Sequence, residues 1–305
     1  MFKILMRIPW SSKPLKVGEF CFSPDFSWVE ADAFVAFRQP HPDLLTFPGP
    51  KAWYCCEARE HAALFAAPEW RSITAQLKPE ETLYHAHPNP AYRVPHVTRW
   101  APPTVAPYGC TAPRLTKVAA VVSNTGGPPG QRSKEMRLRN TFVTHPMVDL
   151  YGKPEAWANF RAGFFSRPKT PPNYKGEIPG GWSSPERLAY VARYKAAICF
   201  ENALEPYYFT EKFVYSVLSG CIPIYHADPV VRAQFLQGAA WVDPADFNFA
   251  PEATLHFALA QDATTYWEQN IAWLQSTPVK ATHALAVYER IGTILRQRAI
   301  GGNRS

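Results

Sequence analysis

Three polar segments follow apolar, strand-like runs and carry residue types that bind phosphate or move a proton. The first spans residues 123–132, Ser-Asn-Thr-Gly-Gly-Pro-Pro-Gly-Gln-Arg, and leads into a helical pattern. Its glycines let backbone N–H groups approach an anion, the helix N-terminus favours negative charge, and Arg132 can bind a phosphate through two hydrogen bonds. Because the segment matches neither the dinucleotide nor the P-loop pattern, an ordinary surface loop with a solvated arginine remains the alternative.

The second segment, residues 200–212, reads Phe-Glu-Asn-Ala-Leu-Glu-Pro-Tyr-Tyr-Phe-Thr-Glu-Lys and leads from an apolar strand into a helix. Thr210 is the candidate N-cap, which places Glu211 and Lys212 in the first turn. A lysine there opposes the helix dipole, so helix stability gives no reason for it, whereas binding of a diphosphate would. The carboxylate beside it can accept hydrogen bonds from ribose or sugar hydroxyls. Simple capping with surface charge is the alternative.

The third segment ends at Glu57, directly after the apolar run Trp-Tyr-Cys-Cys at residues 53–56. A general base for a sugar hydroxyl requires a carboxylate within hydrogen-bond reach of the acceptor. Acidic residues are also common at helix starts, so capping of the following helix is the alternative for Glu57.

The elements that position these segments alternate between strand and helix, which favours an α/β fold with parallel sheets covered by helices. Ligands of such sheets bind beyond the carboxyl ends of the strands, where all three segments begin. The hydrophobic pattern predicts strands at residues 2–8, 33–37, 52–56, 118–123, 147–151, 196–200, 222–225 and 239–242, and helices at residues 57–65, 133–141, 210–218, 230–236, 263–274 and 283–297.

A stretch without hydrophobic period divides the chain. Residues 98–113, Thr-Arg-Trp-Ala-Pro-Pro-Thr-Val-Ala-Pro-Tyr-Gly-Cys-Thr-Ala-Pro, are typical of an interdomain connection. We therefore predict two domains, 1–112 and 113–305, and expect the last helix to pack back on the N-terminal one.

Composition narrows the class of protein. The chain has 305 residues, 47% of them hydrophobic, so it can bury a large core. No stretch reaches the roughly 18 to 20 apolar residues of a membrane span, and no secretory signal is evident. We expect a soluble, cytoplasmic protein with at most peripheral membrane contact. The formal charge of +7 suits a polyanionic ligand such as nucleic acid, anionic lipid or a nucleoside diphosphate.

The cysteines and histidines give no sign of a metal site. The six cysteines have no zinc-type spacing, and most lie in apolar runs, which predicts buried free thiols in a reducing compartment. His85 and His87 form an isolated pair without a nearby carboxylate or thiol. We therefore expect no metal and no other cofactor.

Three segments of the C-terminal half resemble the α-1,3-fucosyltransferases of glycosyltransferase family 10. Residues 194–202 (Tyr-Lys-Ala-Ala-Ile-Cys-Phe-Glu-Asn), 208–213 (Tyr-Phe-Thr-Glu-Lys-Phe) and 219–225 (Ser-Gly-Cys-Ile-Pro-Ile-Tyr) are similar to the family's main motif, and residues 121–124, Arg132 and 148–152 resemble its upstream segment. The resemblance covers about residues 118–247. It implies a GT-B fold, with two Rossmann-like domains facing across a cleft, an N-terminal acceptor domain and a C-terminal GDP-fucose domain.

The resemblance also implies roles for single residues, and it fits the three polar segments. Positions that match Arg132 and Lys212 contact the diphosphate in the family, and the position that matches Glu211 contacts the ribose. The remaining matches around the donor pocket are Ser123, Asn124, Asn202 and Tyr208.

The resemblance of residues 54–57 to the family's Tyr-Thr-Gly-Glu makes Glu57 the expected catalytic base, although Cys55 and Cys56 stand where the family has Thr-Gly and Ala58 stands where it has Asn.

The expected activity is inverting transfer of L-fucose from GDP-fucose to a GlcNAc or Glc hydroxyl, O3 in our prediction, of an oligosaccharide acceptor, without a metal ion. A GT-B glycosyltransferase that uses another sugar nucleotide is the first alternative. A non-catalytic glycan-binding or nucleic-acid-binding protein is the second. Because the basic residues are scattered rather than clustered in a stripe with aromatics, we expect no nucleic-acid partner. Nothing in the sequence indicates an oligomeric state.

Overall fold

The computed structural model describes residues 1–8, 13–58, 67–96, 98, 113–123, 133–163, 166–181 and 184–302. The chain divides into two compact units. The first contains residues 1–98, 205–208 and 280–305, and the second contains residues 99–204 and 209–279. This division differs from a single boundary after residue 112, because the short segment 205–208 and the C-terminal residues belong to the first unit.

The described strands are β1 (Phe2–Arg7), β2 (Leu15–Val17), β3 (Phe20–Ser23), β4 (Ala33–Phe37), β5 (Lys51–Tyr54), β6 (Thr82–Leu83), β7 (Leu115–Val121), β8 (Val148–Tyr151), β9 (Tyr194–Ile198) and β10 (Ile222–Ile224). The described helices are α1 (Asp43–Thr46), α2 (Pro68–Thr74), α3 (Lys134–Val143), α4 (Pro154–Trp157), α5 (Pro185–Val191), α6 (Glu211–Leu218), α7 (Pro229–Phe235), α8 (Pro251–Ala260), α9 (Ala263–Leu274), α10 (Thr277–Lys280) and α11 (Ala284–Gly302). Short 3-10 helices span Pro79–Glu81, Pro90–Tyr92 and Pro244–Phe247.

The first unit is built on one sheet with the strand order β2-β3-β1-β4-β5-β6. Its pairs are parallel except for β2 with β3. The strand β4 is buried along its whole length, as expected for an apolar strand covered on both faces. Helix α11 packs on this sheet through Val287, Ile291 and Leu295, and Gly292 permits the contact, because a Cβ atom there would lie 2.6 Å from the ring of Phe20.

The second unit is built on a parallel sheet with the order β10-β9-β7-β8. Its larger core cluster contains Ile198 and Ile224 from the sheet, Phe142 from α3 and Leu255 from α8. The predicted strand at residues 239–242 is reduced to one bridge, in which Val242 pairs with Ile224. Helices α6 and α9 both pack against β10, and α6 also contacts β9. All four strands end at the same edge, where the second polar segment begins.

Five cysteines, Cys21, Cys55, Cys56, Cys199 and Cys221, are buried free thiols, which confirms the prediction for these five. The sixth, Cys110, lies outside the described residues. Among the described helices, none combines the length and the apolar character that a membrane crossing would require.

Candidate functional site

A buried carboxylate joins the end of β9 to the start of α6. Glu201 accepts hydrogen bonds from the backbone N–H of Thr210 at 2.8 Å and from its hydroxyl at 2.6 Å. It also accepts from Lys212 Nζ at 3.1 Å and from the hydroxyl of Tyr225 at 3.2 Å. Thr210 is the N-cap residue of α6, as predicted, but its side chain binds Glu201 rather than the helix backbone. The sequence motif thus folds into a fixed hydrogen-bonded cluster.

Lys212 is held by this carboxylate. Its ammonium group also donates to Thr210 Oγ1 at 3.0 Å and lies 3.8 Å from Glu211. Burial acts to lower the pKa of Lys212, but the charges of Glu201 and Glu211 and the hydrogen bond to Glu201 outweigh it and raise the pKa. The argument that helix stability gives no reason for a lysine here is therefore wrong, because Glu201 supplies one. The ammonium group remains charged, and one fifth of the side chain is exposed.

Asn202 leads to a basic residue whose role the sequence reasoning missed. The guanidinium of Arg139, on α3, donates to Asn202 Oδ1 at 2.5 Å. Arg139 is only 1% exposed. Its charge lies close enough to Lys212 to act against the overall rise in the pKa of that lysine. A buried arginine is rare without a partner or ligand, so its position in a helix with apolar neighbours was the available signal. Two cationic groups therefore flank the end of β9.

Of the other residues predicted to bind the donor, some lie in the described part of the second unit and some lie outside it. Ser123 follows β7, and its hydroxyl accepts from the backbone N–H of Lys153 at 3.4 Å. Glu211 lies close to Arg187 on α5, whose pKa is lowered by burial although the charge of Glu211 opposes this. Asn124 and Arg132 lie outside the described residues. The described part of the second unit therefore brings together Asn202, Glu211 and Lys212.

In the first unit, the predicted base lies at the carboxyl end of the sheet. Glu57 follows β5 and pairs with Arg38 Nε at 3.2 Å, and about a fifth of its side chain is exposed. The two preceding thiols are buried, and burial raises the pKa of Cys55 to about 11, with the charge of Glu57 contributing. The carboxylate thus lies between an arginine and a protonated thiol.

Tyr208 belongs to the first unit, whereas the other predicted donor residues belong to the second or lie outside the described part. Its ring packs 5.1 Å from the ring of His85 and 5.9 Å from that of His96. Three residues earlier in the chain, Glu205 binds His85 Nε2 at 3.2 Å. The aromatic contacts and this buried pair explain why the segment leaves the second unit.

The two histidines considered as metal ligands are occupied by separate partners. His87 accepts a hydrogen bond at Nδ1 from the backbone N–H of Asn89 at 3.0 Å and bonds through Nε2 to the carbonyl of Pro79 at 3.2 Å, whereas His85 binds Glu205. Within the described ranges, no three His, Cys, Asp or Glu side chains are grouped so that they could hold a metal ion.

This arrangement can bind an anion at the second sheet. Arg139 and Lys212 supply positive charge at the carboxyl end of β9, where parallel sheets bind their ligands. The α6 N-terminus adds its dipole, and Glu211 offers acceptor oxygens for hydroxyl groups. Such a set fits a nucleoside diphosphate. Two units, each built on a largely parallel sheet and one of them with this site, are typical of the GT-B fold class.

The chain belongs to glycosyltransferase family 10, the fucosyltransferase family. The profile of the family's C-terminal region matches residues 112–292, more than half of the chain. This confirms the resemblance noted in residues 194–202, 208–213 and 219–225.

One curated relative matches over a short segment, and two solved structures share the fold at low sequence identity. Alpha-(1,3)-fucosyltransferase B of Drosophila melanogaster is 45% identical over 49 residues, which are 16% of this chain and 11% of that protein. The matched region is therefore about a tenth of the relative's length. The crystal structure of AviGT4, a glycosyltransferase involved in avilamycin A biosynthesis, has a TM-score of 0.51 at 12% identity, covering 89% of this chain and 75% of that chain. A trehalose-6-phosphate synthase structure also has a TM-score of 0.51, at 9% identity, covering 97% and 93%.

Proposed function

We propose that the protein is an inverting fucosyltransferase that moves L-fucose from GDP-fucose to a hydroxyl, O3 in our proposal, of a GlcNAc or Glc unit in an oligosaccharide. The observation that carries the proposal is the cluster of Glu201, Asn202, Glu211 and Lys212 at the carboxyl end of β9, in a chain of the fucosyltransferase family. The cluster offers Lys212 for a diphosphate, with Arg139 bound to its Asn202, and Glu211 for a ribose. It lies where such a ligand binds in parallel sheets.

The donor-side roles follow from charge. We assign the diphosphate to Lys212 and Arg139, because both remain cationic and both lie at the same strand end. Arg132 remains a proposed third ligand on the basis of its sequence position. Glu211 binds the ribose, and Asn202, held by Arg139, contacts the donor. Ser123 and Asn124 remain proposed donor contacts on the basis of their sequence positions. Tyr208 is proposed to contact the sugar part of the donor.

The chemical step is a single displacement. Glu57 accepts the proton of the acceptor hydroxyl as the oxygen attacks C1 of fucose, and the bond from C1 to the diphosphate oxygen breaks with its electron pair leaving on the GDP. The leaving group gains negative charge as it departs. Preorganised cations at that position lower the barrier, so Arg139 and Lys212 supply the stabilisation that a divalent cation provides in other transferases. We therefore propose that turnover requires no metal.

The proposal is tested by product-linkage analysis. The purified protein is incubated with GDP-fucose and a panel of lactose and N-acetyllactosamine acceptors, with and without a chelator, and the product is analysed by NMR. We expect an α-linked fucose on O3 and the same rate with the chelator. Parallel reactions with GDP-mannose and UDP-sugars test the donor. Turnover of one of those donors in place of GDP-fucose would contradict the proposal.

A further inference from the structure

A histidine–aspartate pair lies at the carboxyl end of β10, inside the region that resembles the family but outside the three segments of its main motif. His226 follows β10 by two residues, and its Nδ1 lies 2.9 Å from the Asp243 carboxylate. Asp243 is 3% exposed and also accepts a hydrogen bond from the backbone N–H of Ala245 at 2.9 Å, and its second oxygen binds Arg232. Asp243 is therefore fixed by three donors, of which the imidazole is one.

The partners determine the state of the imidazole. Burial acts to raise the pKa of Asp243, but the hydrogen bonds from His226 and Ala245 and the charges of His226 and Arg232 outweigh it and lower the pKa. An ionised carboxylate accepts a hydrogen bond, so Nδ1 of His226 carries a proton. Within the described part of the chain, no residue bonds to the other ring nitrogen, Nε2, and one fifth of the side chain is exposed. Nε2 is thus available to a ligand.

The sheet places this imidazole beside the donor site. Ile224 pairs with Ile198 in parallel register, so His226 lies alongside Phe200, the residue two positions beyond Ile198. Side chains alternate between the faces of a sheet, and Ile198, Phe200 and Ile224 belong to one core cluster, so His226 lies on the same face. Asn202 binds Arg139 of α3, a helix that covers this face through Phe142. His226 therefore follows β10 at the same edge of the sheet at which Asn202 follows β9.

A strained turn holds the ring from the other side. Asn248 and Phe249 are consecutive non-glycine residues in the left-handed region, with φ of 51° and 58°. The turn places the Phe249 ring edge-on to the imidazole, with the ring centres 4.9 Å apart at an interplanar angle of 90°. Backbone strain of this kind persists where the surrounding structure enforces it and is concentrated at ligand sites. The imidazole is therefore restricted by Asp243 and by Phe249.

We propose that His226 is a further diphosphate-binding residue, which donates a hydrogen bond from Nε2 to the bound nucleotide. The inference rests on the proposed function and deepens it, because it adds a hydrogen-bond donor to Arg139, Lys212 and Arg132 on the leaving-group side. A group that binds departing GDP more tightly than GDP-fucose assists bond cleavage at C1.

The test compares two ligands, GDP and guanosine, by calorimetry. His226→Asn places an amide N–H near the position of Nδ1, which retains the contact with Asp243 but removes Nε2. We expect the dissociation constant of GDP to rise roughly ten-fold, the loss of one charge-assisted hydrogen bond, while that of guanosine stays the same. His226→Ala, which removes both ring nitrogens, serves as a second variant if the first folds poorly. His256→Asn on α8 is the matched control, since His256 is 65% exposed and contacts only Glu252 at 3.9 Å among the described residues.

Each outcome has one meaning. Unchanged GDP binding in both His226 variants, or equal weakening of GDP and guanosine, would overturn the assignment, because a structural role affects both ligands alike. If the wild-type protein itself binds no GDP, the proposed function fails, and the role of His226 fails with it. If the wild type binds GDP and the His226 variants bind it as tightly as the His256→Asn control does, the proposed function stands and only the role of His226 fails.

Discussion

The carboxyl ends of the two sheets carry similar residue types but hold them differently. At the second sheet, Glu201 is buried and saturated by four hydrogen bonds, and Arg139 is fixed by Asn202. At the first sheet, Glu57 is partly exposed, and its ion pair with Arg38 lies between two side chains that are both more than a fifth exposed. One end is built as a fixed cluster, and the other presents an accessible carboxylate.

The difference matches two kinds of chemistry. The same nucleotide binds at every turnover, so a rigid, preorganised arrangement of charges can bind it with little reorganisation. A general base must instead exchange a proton with a bound hydroxyl and with water, which requires exposure. We therefore expect substitutions at the second sheet to affect folding and nucleotide affinity, and substitutions at Glu57 to affect turnover. The following predictions test that separation.

The largest effect is expected for Glu57→Ala. If this carboxylate is the base, kcat falls by roughly 10²- to 10⁴-fold, while the calorimetric affinity for GDP stays at the wild-type value. Glu57→Gln should behave like Glu57→Ala, because the amide cannot accept the proton. Glu69→Ala, an exposed glutamate in α2, is the control in the same unit. An active Glu57→Ala enzyme would show that Glu57 is not the catalytic base. The two sheet ends would then differ in structure without the difference in chemistry that we infer.

The next effect is on folding, at Glu201→Ala. Removal of the carboxylate leaves the half-buried Lys212 without its main partner and the buried Thr210 without its acceptor, which we expect to lower the free energy of unfolding by about 3 to 5 kcal/mol in urea titrations. Glu201→Gln, which keeps an acceptor oxygen for Thr210, should be less destabilising. The exposed Glu252→Ala on α8 should be neutral. A stable Glu201→Ala protein would show that the cluster is not the fixed element described above.

A smaller effect, on nucleotide affinity, is expected for Arg139→Gln. The amide can still donate to Asn202, but the positive charge is lost. We expect the dissociation constant of GDP to rise by about ten- to a hundred-fold, corresponding to roughly 1.5 to 3 kcal/mol for a hydrogen bond to a charged group. Arg137→Gln, two residues earlier and exposed, is the matched control. Equal affinities in the two variants would exclude Arg139 from the diphosphate site.

The sequence predicted the second sheet better than the first, for physical reasons. Strands in a parallel sheet read as apolar runs, and β8, β9 and β10 appear within a few residues of their predicted positions. In the first sheet, β2 and β6 were missed because they are edge strands of three and two residues, and the four-residue β3 was missed as well. Helix boundaries such as that of α9 followed directly from the periodic pattern and its Asp262 cap.

The site was predictable where one segment carries it and not where distant segments meet. Glu211 and Lys212 follow from the N-terminus of one helix. The partners Arg139 and Tyr225 are far away in the chain, and only the folded sheet brings them to Asn202 and Glu201. Tyr208 is a second example: the motif residues that follow it belong to the second unit, whereas its ring contacts His85 in the first unit. Long-range pairing depends on packing that local spacing does not encode.

The smallest expected effect concerns Cys55, whose thiol reports on the charge next to it. Burial, together with the charges of Glu57 and Glu205, raises the pKa of Cys55 from about 9 to about 11. The folded state therefore holds the thiol proton more tightly than the unfolded state does. Its contribution to stability is complete below about pH 9 and is lost as pH rises toward 11, at roughly 1.4 kcal/mol per pH unit.

Urea titrations at pH values between about 9 and 11 measure how steeply the free energy of unfolding falls with pH. Cys55→Ala should make this dependence less steep, because the contribution of one thiol is removed. In Glu57→Gln the neighbouring negative charge is absent, so Cys55 should react faster with iodoacetamide at alkaline pH than in the wild type, whereas in Glu69→Ala it should not. An unchanged alkylation rate in Glu57→Gln would show that burial alone sets the thiol pKa. The accessible carboxylate at the first sheet would then not be the electrostatic neighbour of Cys55 that the structure indicates.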